Sequence, residues 1–188
     1  MTKTINCVEL VTPEQRFQYA VEIVLLHEGG LSEDKRDPGG TTQWGVSLRF
    51  LKAAGIDIDG DGDIDSHDIR DLTRGGSKEI YRDHWWNNFG YDRLNSIRVS
   101  TKVFDLSINM GPTAAHRLLQ IAVNRLSDKP ISVDGIIGPN TFKAANEKDA
   151  HVLRQTLRDC AEHKYVQILA DKPHMEWARN GWIRRSRW

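Results

Sequence analysis

Apolar residues recur at steps of three and four through Phe17, Ala20, Val21, Val24 and Leu25, which predicts a helix with one buried face. Its start is legible just upstream. Thr12 offers a hydroxyl cap, Pro13 suits the first helical position, and Gln15 stands three residues after the cap. Gly29 and Gly30 stop it. From 29 to 47 the periodicity dissolves among Gly, Asp, Ser and Thr, which predicts a loop or a small β-turn lobe. Short helices are expected at 48–54 and 76–86, on either side of an acidic loop at 57–68. Val103, Phe104, Ser107 and Met110 mark a further helix. Gly111-Pro112 opens the next, which should bury Ala115, Leu118, Leu119, Ala122 and Leu126. Pro139 starts a short helix, and Asp149 caps a long one through Val152, Leu153, Leu157, Cys160 and Ile168 that ends before Pro173. No repeat and no low-complexity linker interrupts the pattern. The chain therefore reads as mainly α, with the helices sharing one core and a loop-rich lobe near the N-terminus.

Composition narrows the class. The 188 residues are 39% apolar and 28% charged, a globular balance rather than a disordered one. The early apolar run at 23–26 is far short of the roughly 20 residues that span a bilayer. The N-terminus lacks the apolar core and cleavage site of a secretory signal, so a cytosolic origin is expected, with Cys7 and Cys160 reduced. The net charge of zero hides an asymmetry. Residues 1–94 hold 11 basic and 17 acidic residues, and residues 95–188 hold 15 and 9. A basic second half is suited to an acidic surface, although a solvated face explains it as well.

Glu28 carries the first candidate chemistry. A carboxylate at a helix C-terminus faces the negative end of the macrodipole. Partial burial adds a second effect of the same sign, and together they hold the acid protonated, as a general acid requires. Asp37, nine residues on, is placed to hold a water or to stabilise positive charge, and Thr42 to orient that water. The plainer alternative is an exposed last-turn residue before a glycine cap.

Glu28-Gly29-Gly30-Leu31-Ser32, followed by Asp37-Pro38-Gly39-Gly40-Thr41-Thr42-Gln43-Trp44-Gly45, resembles the signature of glycoside hydrolase family 108. The resemblance continues through Ile80-Tyr81-Arg82-Asp83-His84-Trp85-Trp86 and Phe104-Asp105-Leu106-Ser107-Ile108-Asn109-Met110-Gly111, in order along most of the chain. It implies a lysozyme-like helical fold and a phage endolysin, or a prophage "secretion activator" relative, that acts as an N-acetylmuramidase. It implies Glu28 as the catalytic acid. A looser likeness to other phage lysozymes extends catalytic roles to Asp37 and Thr42. Residues 1–100 are then the catalytic half, and 101–188 a helical half packed on it as one unit. Trp44, Trp85, Asp105 and Asn109 are the candidate substrate contacts; Trp85 and Trp86 suit either stacking on sugar faces or packing in the core, and Asp105 and Asn109, four apart on one helix face, either bind substrate or hold the two halves together.

Residues 57–68 match the twelve-residue EF-hand loop in register. Asp57, Asp59 and Asp61 take positions 1, 3 and 5, and Gly62 the sharp turn. Asp63 offers its carbonyl, and Asp65 acts directly or through water. The departure is Asp68, where the motif has glutamate, which favours one-oxygen ligation and weaker Ca²⁺ binding or admission of Mg²⁺. Six aspartates in twelve residues repel one another without a cation, so a structural Ca²⁺ clamp is expected, with no cofactor for catalysis.

Leu119-Gln120 and Ile131 to Thr141, with Val133-Asp134-Gly135 and Gly138-Pro139, resemble peptidoglycan-binding helical modules, although the same residues also explain a turn between helices. The tail interleaves Trp177, Arg179, Trp182, Arg184, Arg185, Arg187 and Trp188. That mixture suits anionic lipid or wall, or simply a packed end. The histidines show no His-Glu-x-x-His spacing, which argues against a zinc amidase or peptidase.

The expected function is thus an endolysin cleaving the β-1,4 bond between N-acetylmuramic acid and N-acetylglucosamine. It acts as a monomer on peptidoglycan after a holin-type partner opens the membrane, without nucleic acid and without stable membrane insertion. Two alternatives stay open: a lytic transglycosylase on the same bond, and a non-catalytic calcium-dependent wall binder.

Overall fold

The computed structural model describes residues 12–28 and 41–188. Among these the order is α1 (Pro13–Glu28), a hairpin of β1 (Thr42–Gln43) and β2 (Val46–Ser47), α2 (Leu48–Ala54), α3 (Ser66–Asp71), α4 (Arg74–Tyr81), a π-helical turn (Arg82–Asn87) and a 3-10 turn (Tyr91–Arg93). Then follow α5 (Ile97–Met110), α6 (Pro112–Arg125), α7 (Pro139–Asn146), α8 (Ala150–Asp171), a 3-10 segment (Pro173–Ala178) and α9 (Arg179–Arg187). The mainly α expectation holds. None of the described helices is long and apolar enough to cross a membrane.

The start of α1 is the capping box written in its sequence. The Gln15 amide donates to Thr12 Oγ1 at 3.1 Å, and the Thr12 amide donates to Gln15 Oε1 at 3.1 Å. Its buried face is Phe17, Ala20, Val21, Val24 and Leu25, as the spacing predicts.

The core is organised on α5. Nearly every residue from Ile97 to Ser107 is buried, which marks a helix surrounded on all sides. α1, α6 and α8 pack around it. Phe104 anchors an edge-to-face cluster with Trp86 (5.4 Å between centroids) and Tyr81 (6.2 Å), and packs obliquely on Tyr91 (5.8 Å). Residue 100 lies inside α5, so one uninterrupted helix serves both halves. A buried polar joint adds to the seam. The Tyr91 hydroxyl meets His116 Nε2 at 2.9 Å, and His116 Nδ1 meets the Gly135 carbonyl at 3.1 Å.

Several local expectations change. The helix expected at 76–86 begins earlier, as α4 capped by Thr73, and passes into the π turn. A separate α3 closes the acidic loop. Leu126 caps α6 rather than lying within it, and is half-buried. Val152 is on the exposed face of α8. The tail is not loose, because α9 packs on α8. Cys160 is a buried free thiol, and Cys7 lies outside the described residues.

Candidate active site

Glu28 is the last residue of α1, and its side chain is only 16% exposed. It opens onto a cavity of about 310 Å³ whose lining includes His27, Asn109, Trp177, Trp182 and Arg185. Burial pushes the Glu28 carboxyl above the ordinary carboxylate range, against the opposing pull of Arg185. The acid is thus biased toward the protonated form that can give a proton to a leaving oxygen.

The strand hairpin presses on this acid. Gln43 pairs with Val46, so Trp44 and Gly45 are a two-residue turn, and both have positive φ (51° and 78°). That is the backbone of a type I′ turn, in which a bulky first residue is unusual. The Trp44 carbonyl accepts a hydrogen bond from the buried Tyr81 hydroxyl at 2.9 Å, which ties the turn to α4. A Cβ on Gly45 would lie 2.5 Å from Glu28 Cγ and would also collide with the Tyr81 hydroxyl. Gly45→Ala is therefore expected to displace Glu28, with activity falling at least about tenfold and stability by about 1–3 kcal/mol. Gly55→Ala is the control. Gly55 has φ 68° but open space around it, so the backbone cost of about 1 kcal/mol should come without loss of activity. Melting curves and turbidity assays of both variants check this. Equal activity in the two would remove the hairpin from the site.

The proposed substrate contacts separate. Asn109 is exposed and lines the cavity, where its Oδ1 accepts from the Tyr165 hydroxyl at 2.8 Å. Asp105 does not face substrate. It is fully buried, with Oδ1 2.9 Å from His27 Nδ1, because α5 is enclosed on every side. Trp85 is half-buried against Phe50 (4.7 Å) and Tyr81 (5.6 Å), away from the cavity lining. Trp44 is half-buried at the hairpin tip. Thr42 is half-buried on β1, paired with Ser47. Asp37 lies outside the described residues.

Four of the tail's aromatic and basic residues, Trp177, Trp182, Arg184 and Arg185, line the cavity. Trp177 is 53% exposed on the cavity rim. Trp182 lines the same cavity while stacking on Tyr165 at 5.2 Å. Their spacing carried no sign that the tail returns to Glu28.

The acidic loop gathers its carboxylates in two groups, Asp57 with Asp59 and Asp61, and Asp63 with Asp65 and Asp68. Within each group one oxygen per residue lies within 4.8 Å of the others. The Gly60 and Gly62 amides donate to the two Asp57 oxygens at 2.6 and 3.0 Å. Asp68 is buried, and its carboxylate accepts from the amides of Ile58 (2.6 Å) and Asp65 (2.7 Å), which also caps α3. Crowding by Asp61, and by the other aspartates of the loop, raises the carboxyl of the exposed Asp63. An all-oxygen, multiply anionic donor set suits a hard divalent cation.

The peptidoglycan-module motif is spent largely on its own turn. Buried Gln120 donates to Asp134 Oδ1 (2.8 Å) and the Ile136 carbonyl (3.1 Å), and accepts from the Gly135 amide (2.9 Å).

The chain is similar to known proteins in both halves. Residues 21–111 match the glycosyl hydrolase 108 family model, and residues 114–187 match a model described as a predicted peptidoglycan domain. No curated protein matches the chain in sequence. A solved structure of Brucella abortus SagA is similar over 93% of this chain and 94% of that one, at 27% identity and a TM-score of 0.71. The enzyme is a glycoside hydrolase of the lysozyme type with a mainly α, lysozyme-like fold. The two models and the SagA likeness support a glycosyl hydrolase 108 family, with peptidoglycan as the substrate partner.

Proposed function

We propose that this enzyme hydrolyses the β-1,4 bond between N-acetylmuramic acid and N-acetylglucosamine, and that it serves as a phage-type endolysin. The observation that carries the reading is the buried Glu28 carboxyl at the cavity, ending a helix whose dipole and surroundings favour its protonated form. Glu28 protonates the glycosidic oxygen as the sugar becomes oxocarbenium-like. Asp37 and Thr42 position water or stabilise charge. The exposed indole of Trp177 offers a flat apolar face to a pyranose ring. Release depends on a holin-type partner that lets a cytoplasmic monomer reach the wall.

Mass spectrometry of digested peptidoglycan tests this. Muramic acid reducing ends are expected. Products carrying 1,6-anhydro ends would make the enzyme a lytic transglycosylase, and an undigested wall that still retains the protein would make it a binder.

The acidic loop, in the same reading, binds Ca²⁺ as a structural clamp. Asp57, Asp59, Asp61, Asp63, Asp65 and Asp68 supply oxygen ligands, and the cation offsets their mutual repulsion. No step of the glycosidic chemistry passes through it.

A further inference from the structure

Arg185 lies 157 residues from Glu28 in sequence, on the last helix of the predicted peptidoglycan domain, yet its Nη2 donates to Glu28 Oε1 at 2.6 Å. Both partners are largely enclosed, at 5% and 16% side-chain exposure. The guanidinium also faces Asp105, with Nε 3.7 Å from Oδ1 of that fully buried carboxylate. Arg185 Nη1 and Asp105 Oδ2 are both buried without a hydrogen-bond partner among the described residues. A charge this enclosed is costly to keep unless it is paired; here buried Asp105 supplies the opposite charge, and Glu28 accepts a hydrogen bond.

The end of α9 is held in place from three sides. Buried Lys102 on α5 donates to the Arg185 carbonyl. Arg154 on α8 donates to the Trp188 carbonyl and lies 5.4 Å from its ring. His27 on α1 meets the edge of the same indole at 5.6 Å. Such anchoring exceeds what a solvated tail needs, and it fixes the guanidinium fork at one oxygen of the acid.

We propose that Arg185 is the positioning residue of the general acid, so that the C-terminal helix of the peptidoglycan domain completes the active site rather than only binding wall. A guanidinium donates and cannot accept. Oε1 of Glu28 therefore stays the accepting, carbonyl-like oxygen, and the transferable proton resides on Oε2. Asp105, in turn, orients Arg185 and partly offsets its charge. The inference rests on the reading of Glu28 as the acid.

The groups that face Glu28 set the sign of the test. Among the described residues they are Arg185 on α9, Asp105 on α5, His27 on α1, and the hydroxyls of Tyr81 on α4 and Tyr165 on α8. Lys102 on α5 stands behind Arg185. Arg185 favours the ionised acid, and Asp105 disfavours it. Activity that needs protonated Glu28 falls as pH rises through the pKa of that acid, which defines an alkaline limb.

The experiment is the pH profile of kcat on soluble, uncrosslinked peptidoglycan chains, with folding followed by melting curves. Arg185→Met should move the alkaline limb upward by at least about one pH unit, because the counter-charge is gone. Asp105→Asn should move it downward. Arg185→Lys should keep the limb near its original place while kcat falls at least about tenfold, because an ammonium lacks the fork that holds the carboxyl's orientation. A merely structural Arg185 would lower the amplitude of the profile and leave its limb unmoved. If Arg185→Met does not fold, Asp105→Asn and Arg185→Lys decide. Limbs that stay fixed in all folded variants, or that move the same way in Arg185→Met and Asp105→Asn, overturn the inference. Near-normal activity of Glu28→Gln would instead overturn the reading on which it rests, so the two failures are distinct.

Discussion

Glu28→Gln is expected to lower muralytic activity at least about 10²-fold while leaving the protein folded. The amide keeps the carboxyl's shape, and its oxygen still accepts from Arg185 Nη2. What it lacks is a proton that can leave. Because the native carboxyl is penalised by burial, a neutral isostere costs the fold little, and the melting temperature should stay within a few degrees of the parent. Activity on purified peptidoglycan, measured beside a melting curve, separates chemistry from folding. A folded Glu28→Gln enzyme with near-normal activity would remove Glu28 from the mechanism. Asp37→Asn should cost less, since a positioning or electrostatic role survives in part. Equal loss would raise Asp37 to an essential partner.

Chelation is expected to lower the melting temperature by roughly 5–10 °C, and added Ca²⁺ to restore it. A ligand that binds only the folded state stabilises it by RT ln(1 + [L]/Kd), about 2.7 kcal/mol at a hundredfold excess over Kd. For a domain of this size that corresponds to several degrees. Asp57→Ala and Asp61→Ala should abolish the response to Ca²⁺. Asp61→Ala is the cleaner of the two, because Asp57 also accepts from the Gly60 and Gly62 amides and its loss disturbs the turn directly. The acidic loop joins α2 to α3, and α3 packs on both α2 and the hairpin strand β1. The cation's effect on activity should therefore follow its effect on structure. Identical melting curves with EDTA and with Ca²⁺ would end the clamp. Activity lost on chelation well below both melting points would place the metal in substrate binding or catalysis.

Features that local spacing controls are legible before any packing. Thr12 to Gln15 wrote the start of α1, and the steps from Phe17 to Leu25 wrote its buried face. Gly111-Pro112 and Pro139 set the starts of α6 and α7, and Asp149 capped α8 through two backbone amides at 3.0 and 2.9 Å. A cap or an amphipathic stripe is settled within four or five residues, so it is legible without the rest of the chain. Glu28 was legible for the same reason, as an acid at a helix end. The tertiary structure decided which distant residues meet that acid. Nothing in Asp105 or Asn109, four apart on α5, told that the first is sealed in the core and the second faces the cavity. That depends on which helices surround α5. Nothing in the tail told that Trp177 reaches the rim of the cavity, or that Arg185 pairs with Glu28 across 157 residues of chain. Helical periodicity fixes the face on which a side chain lies. The partner of that face is fixed only when the whole core has packed, because burial and charge pairing depend on every element at once.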